Sequence, residues 1–140
     1  MKIHALLVSV SLLSALPVLA APPKAVLLDF SSQSLIDAAT AKAVLDAGIP
    51  AKVWKVYPVA KWGFVSQVEG GMTSAGVCVV TARVMMVPLI QTVKTPVFRP
   101  EKVATTFDAS SGASMEQCRE LAKNKLVEAT QGVVSSLVKP

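Results

Sequence analysis

Histidine is all but missing from this 140-residue chain; its single imidazole is His4. A domain beyond that position has no Ser-His-Asp or Cys-His catalytic system and no imidazole site for zinc. Cysteine is scarce as well. Cys78 and Cys118 stand alone, with no Cys-x-x-Cys spacing to lower a thiol pKa. Aromatic residues make up 5% of the chain, so each large ring is first of all a natural piece of core. Basic residues are scattered with no run of five, which leaves a polybasic nucleic-acid-binding arm unsupported. No Asp-x-Asp-x-Asp-Gly loop or acidic cluster suits calcium, and Glu69-Gly70-Gly71 lacks the Lys-Ser/Thr that follows a phosphate loop. No metal, cofactor or catalytic constellation is therefore expected.

Long apolar runs are also few. Ala5 to Leu16 is interrupted only by serines but is short for a bilayer span. Val77 to Ile90 is broken by Arg83 and Pro88. The first run follows Lys2 and precedes Val18-Leu19-Ala20, small side chains at the positions a signal peptidase reads. Residues 1–20 are expected to be a cleaved signal peptide, with no lipidation cysteine at the new terminus and no integral membrane anchor. Residues 21–140 are then a single exported domain of about 120 residues, periplasmic or secreted. Loss of Lys2 changes 14 basic and 9 acidic residues to 13 and 9, a charge of +4. That balance permits an anionic partner without requiring one.

What remains has clear punctuation. Ala25 to Phe30 reads as a short strand or an apolar lead-in. Ser31 to Ala47 reads as a helix, with Ser34 and Asp37 resembling a capping box and Ser31 or Ser32 able to cap an earlier start. Its apolar stripe is Leu35, Ala39, Ala43 and Ala47, with Ile36 and Val44 beside it. Gly48 offers a left-handed stop and Pro50 forbids continuation. Lys52 to Tyr57 is β-prone, and alternation would put Lys52 with Trp54 on one face and Lys55 with Tyr57 on the other. Trp62, Phe64, Ser66 and Val68 share a face of the next strand. Gly70-Gly71 marks a turn, with Thr73 to Gly76 as a longer loop beside it, and Val77 to Val87 is the strongest strand, with Cys78, Val80, Ala82, Val84 and Met86 as its apolar face. Lys102 to Asp108 alternates again, Val103, Thr105 and Phe107 against Lys102, Ala104, Thr106 and Asp108. A last helix runs from Ser114 to Val138, capped by Ser114 and Gln117. Its stripe is Met115, Cys118, Ala122, Leu126, Ala129, Val133 and Leu137.

The expected fold is α+β, a two-layer sandwich. A three- or four-stranded antiparallel sheet carries the N-terminal-side helix and the C-terminal helix on one face. Both cysteines then point into the same interface, and export makes a Cys78–Cys118 disulfide the natural outcome.

The stretch with most functional promise is Lys52 to Phe64. Lys52, Trp54, Lys55, Tyr57, Lys61 and Trp62 fall within it, a set suited to stacking on sugars or bases beside cationic groups. Met85 to Ile90 is a second candidate, as an adaptable protein-binding edge. The acids, such as Glu116 and Glu120 beside Arg119, Lys123 and Lys125, read as ordinary surface charge. The leading expectation is a non-catalytic binding protein acting on another envelope or secreted protein. A binder of anionic glycan or polymer through residues 52–64 comes second, and a carboxylate-based hydrolase third.

Overall fold

The computed structural model describes residues 24–138, so the expected signal peptide and its cleavage site lie outside the described residues. The elements are β1 (Val26–Asp29), α1 (Ala38–Gly48), α2 (Ala51–Val56), β2 (Trp62–Met72), β3 (Val77–Pro88), β4 (Lys102–Ser111) and α3 (Met115–Leu137). One four-stranded sheet has the order β1-β2-β3-β4. Its inner face joins α1, α2 and α3 in a single core that includes Leu45, Val53, Phe64, Val84 and Leu126. This is the expected α+β sandwich with one correction. β1 lies parallel to β2, pairing Val26 with Gly63 and Asp29 with Ser66, so the sheet is mixed. A parallel neighbour requires a crossover connection, and α1 and α2 supply it.

α1 starts later than its sequence suggests. Asp37, not Ser34, is the N-cap, accepting bonds from the Thr40 amide at 2.8 Å and the Thr40 hydroxyl at 2.7 Å. Leu35 and Ile36 are buried ahead of the helix, and within it Ala41 and Leu45 face the core. Ala39, Ala43 and Ala47 are exposed. The expected stripe was misplaced because alanine occurs all round this helix, and so small a side chain marks no face. Gly48 is the last helical residue, where a Cβ would meet the Thr130 side chain of α3 at 2.6 Å. The glycine serves close packing rather than a left-handed stop.

Pro50 ends α1 and also begins α2, as its N-cap. Residues 52–56 are thus helical and not a strand. A proline fixes φ near the helical value and suits a helix start as well as a stop. Val53 turns into the core, outweighing the β preference of this valine-rich stretch.

β2 runs unbroken through Gly70 and Gly71, so the turn to β3 is not there but in the Thr73–Gly76 loop that the sequence also offers. Thr73 N–H donates to the Val77 carbonyl at 2.8 Å, and Gly76 has φ 70°. Gly70, at φ 122°, has no room for a side chain, since a Cβ would lie 2.0 Å from the Val79 carbonyl oxygen.

β3 is central, and Cys78, Val80, Ala82, Val84 and Met86 are fully buried on its helix-facing side. α3 carries the expected capping box. Ser114 Oγ accepts from the Gln117 amide at 3.2 Å, and Gln117 Oε1 accepts from the Ser114 amide at 2.8 Å. Cys118, Ala122, Leu126, Ala129 and Val133 are buried along it, and Thr130 joins them by donating its hydroxyl to the Leu126 carbonyl. The Cys78–Cys118 disulfide is present, with Cα atoms 5.6 Å apart, and it fastens β3 to the first turn of α3. On β4, Thr106 donates to the Lys125 carbonyl at 2.8 Å, so Ala104, Thr106 and Asp108 face α3. Val103, Thr105 and Phe107 lie exposed on the opposite face.

Candidate functional site

α2, the turn that follows it and the first residue of β2 carry all six residues of the lysine–aromatic segment. Their rings turn inward. Trp54 meets the buried Phe64 edge to face, centroids 5.4 Å apart, and Tyr57 meets Trp62 in the same way at 5.8 Å. Trp54, Tyr57 and Trp62 are partly buried against the core, while Lys52, Lys55 and Lys61 are exposed. The helix overrides the alternation that divided these residues between two sheet faces. The aromatic half of the segment is thereby engaged within the protein, and the lysines ring it at the surface.

Met85 to Ile90 is divided by the central position of β3. Met86, Val87 and Leu89 are buried, and Ile90 emerges into the connection that follows.

The carboxylates serve structural roles where their contacts are defined. Asp29 Oδ1 accepts from Ser66 Oγ at 2.7 Å and from Ser31 Oγ at 2.6 Å. Ser31 Oγ in turn accepts from the Val68 amide at 2.8 Å, closing a polar clasp between β1 and β2. Asp37 lines an open cleft of about 710 Å³ with Glu116, Glu120, Arg119 and Lys123. Hydrogen bonds from the Thr40 side chain and then its amide hold the Asp37 carboxyl below its ordinary range. A carboxyl held in that way does not itself supply the protonated acid of a two-carboxylate hydrolase. Arg119 donates to the Ser34 carbonyl at 3.0 Å and closes one side of the cleft. Among the described residues, no group of three or more His, Cys, Asp or Glu side chains could hold a metal ion. No helix among them is long and apolar enough to cross a membrane.

Sequence reasoning passed over a different surface. Phe30 follows Asp29 and so points to the face away from the helices, where it packs on Phe98 with centroids 5.9 Å apart. Both rings remain largely exposed, Phe30 at 55% and Phe98 at 65%. Ile90, Val93 and Val97, in the same β3–β4 connection as Phe98, are exposed too. The connection is folded by specific bonds. Ile90 N–H donates to the Thr95 carbonyl and Val97 N–H to the Pro88 carbonyl, each at 2.8 Å. The run Pro96-Val97-Phe98 was the only signal in the sequence, three residues in a proline-punctuated connection with no periodicity to draw attention.

No family model matches the chain, and no curated protein matches it. Among solved structures it is similar to a PelC dodecamer from Paraburkholderia phytofirmans, at 14% identity and a TM-score of 0.45, covering 81% of this chain and 93% of that one. A single-substitution variant of that PelC gives 12% identity, a TM-score of 0.43 and coverage of 81% and 94%. At these values the likeness assigns no function to this chain.

Proposed function

We propose that this is an exported, non-catalytic binding protein that docks onto another envelope or secreted protein through the exposed Phe30–Phe98 surface. One observation carries the reading. The solvent-facing aromatic pair lies on this surface, whereas the tryptophans of residues 52–64 are partly buried, packed against the core. Exposed apolar side chains grouped on one side of a small domain are the usual mark of a protein-binding surface. The Cys78–Cys118 disulfide supports an oxidising compartment, in keeping with the signal peptide read at residues 1–20. Anionic glycan binding is less well supported, because stacking on a sugar needs a free ring face.

The test is capture from the protein's native envelope extract on immobilised wild type and on a Phe30→Ser/Phe98→Ser variant. A protein retained by wild type should be depleted at least about tenfold on the variant, the change expected when a central aromatic anchor is lost. Retention of glycan that disappears when Lys52, Lys55 and Lys61 become glutamine would contradict the proposal.

A further inference from the structure

β4 is an edge strand of ten residues, with no described strand beyond it. The direction of its free hydrogen-bonding groups follows from bonds elsewhere in the sheet. Leu89 N–H donates to Lys61 O and Thr73 N–H to Val77 O, so odd-numbered residues of β3 bond toward β2. Even-numbered β3 residues therefore bond β4, and their partners there are the even-numbered Lys102, Ala104, Thr106, Asp108 and Ser110. Gly112 N–H donating to Gly76 O continues the same phase. The N–H and C=O groups of Val103, Thr105 and Phe107 consequently point outward. Ala109 would follow, but its N–H is taken by Asp108 Oδ1 at 2.8 Å. The available ladder thus runs from Val103 to Phe107 and is centred on Thr105.

We propose that β4 pairs antiparallel with β4 of a second copy of this chain, across a two-fold axis at Thr105, making one continuous eight-stranded sheet. A two-fold there sets Thr105 against itself and Val103 against the partner's Phe107, all as hydrogen-bonded pairs. Val103 and Phe107, 49% and 64% exposed in the single chain, cover each other across the seam. The same register sets Lys102 directly opposite the partner's Asp108. This is a non-hydrogen-bonded pair, whose side chains approach most closely. The Asp108 carboxylate also pairs with Lys125 of its own chain at 3.3 Å and would be shared between the two ammonium groups. Shifting the axis to Ala104 or Thr106 separates these opposite charges and breaks the Val103–Phe107 match. Charge, apolar pairing and the span of available backbone groups thus select one register. An uncovered edge this long, with no proline between Lys102 and Ser111, is otherwise a template for uncontrolled pairing.

The test combines sedimentation equilibrium with site-specific crosslinking of the purified, disulfide-intact protein. Wild type should show a reversible monomer–dimer equilibrium. Thr105→Cys should form a disulfide-linked dimer under mild oxidation, because the axis brings the two positions within disulfide reach. Val103→Cys should not, being offset from its own copy by four residues, roughly 13 Å along the strand. Thr105→Pro removes only an outward N–H, so it should keep the circular dichroism of wild type and weaken dimerisation at least about tenfold. Lys102→Glu should weaken it as well, in a salt-dependent manner. A monomer at every concentration would overturn the proposal. So would a dimer that resists Thr105→Pro, one that crosslinks through Val103→Cys, or a Thr105→Cys protein that remains uncrosslinked.

Discussion

Gly48 of α1 faces Thr130 of α3 so closely that a Cβ at position 48 would sit 2.6 Å from the threonine Cγ2. The glycine sets how deeply α1 settles on α3, and Thr130 is held in place by its bond to the Leu126 carbonyl. Gly48→Ala should therefore destabilise the protein by ~1–2 kcal/mol, overpacking outweighing the gain in helix propensity. Thr130→Ser keeps the hydroxyl and removes the clashing methyl, so in the Gly48→Ala background it should recover most of the loss. Urea unfolding of the four proteins in the cycle measures this directly.

The two glycines of β2 should behave differently under the same substitution. Gly70→Ala meets the Val79 carbonyl oxygen at 2.0 Å, which the ladder cannot relieve without separating the strands. Gly71→Ala meets nothing within 4 Å and suffers only from its φ of 140°. A loss of ~1–3 kcal/mol is expected at Gly71 from backbone strain alone, and a clearly larger one at Gly70. Denaturant midpoints of the two variants check the order.

The fold is legible in the sequence where an unbroken apolar period stands against polar neighbours. β3 and α3 are legible because their apolar residues recur at an unbroken period, with charged residues such as Glu116, Arg119, Glu120 and Lys123 filling the rest of the α3 surface, and the disulfide follows from their phases. The phase of α1 is not legible, because alanine occurs all round it and marks no face. α2 is hidden because Pro50 signals a start and a stop alike, and Val53, Trp54 and Val56 carry strand preference. The parallel pairing of β1 depends on a crossover that a four-residue strand cannot announce. Phe30 and Phe98 lie 68 positions apart in sequence, and only the fold brings them together.

Removal of the Cys78–Cys118 bond should be costly. It closes a separation of 40 residues, for which chain entropy alone gives roughly 4 kcal/mol. Cys118→Ala should lower stability by ~2–5 kcal/mol, read as a shift in thermal midpoint under non-reducing conditions.

Acid should weaken the fold through two carboxylates. Asp37 is held below its usual range by Thr40, and Asp108 by the Ala109 amide and then by Lys125. Both bind protons more weakly when folded than when unfolded, so their stabilisation is present above about pH 4 and fades as pH falls through the folded values. Lys125, raised chiefly by Glu128 and also by Asp108, works in the opposite direction. Its contribution is intact below its unfolded value and is lost as strongly alkaline pH passes the raised one. Asp37→Asn should flatten the acid limb of a stability-versus-pH curve, and Lys125→Met the alkaline limb.

The central claim is that the partner surface is the Phe30–Phe98 side of the sheet and not the lysine–aromatic segment. The most direct measurement is site-specific photocrosslinking in cells that make the protein, with the photoreactive residue placed at Phe98 in one strain and at Lys55 in another. The prediction is a discrete adduct to a different protein from position 98 and none from position 55. Adducts from position 55 with none from position 98 would contradict it.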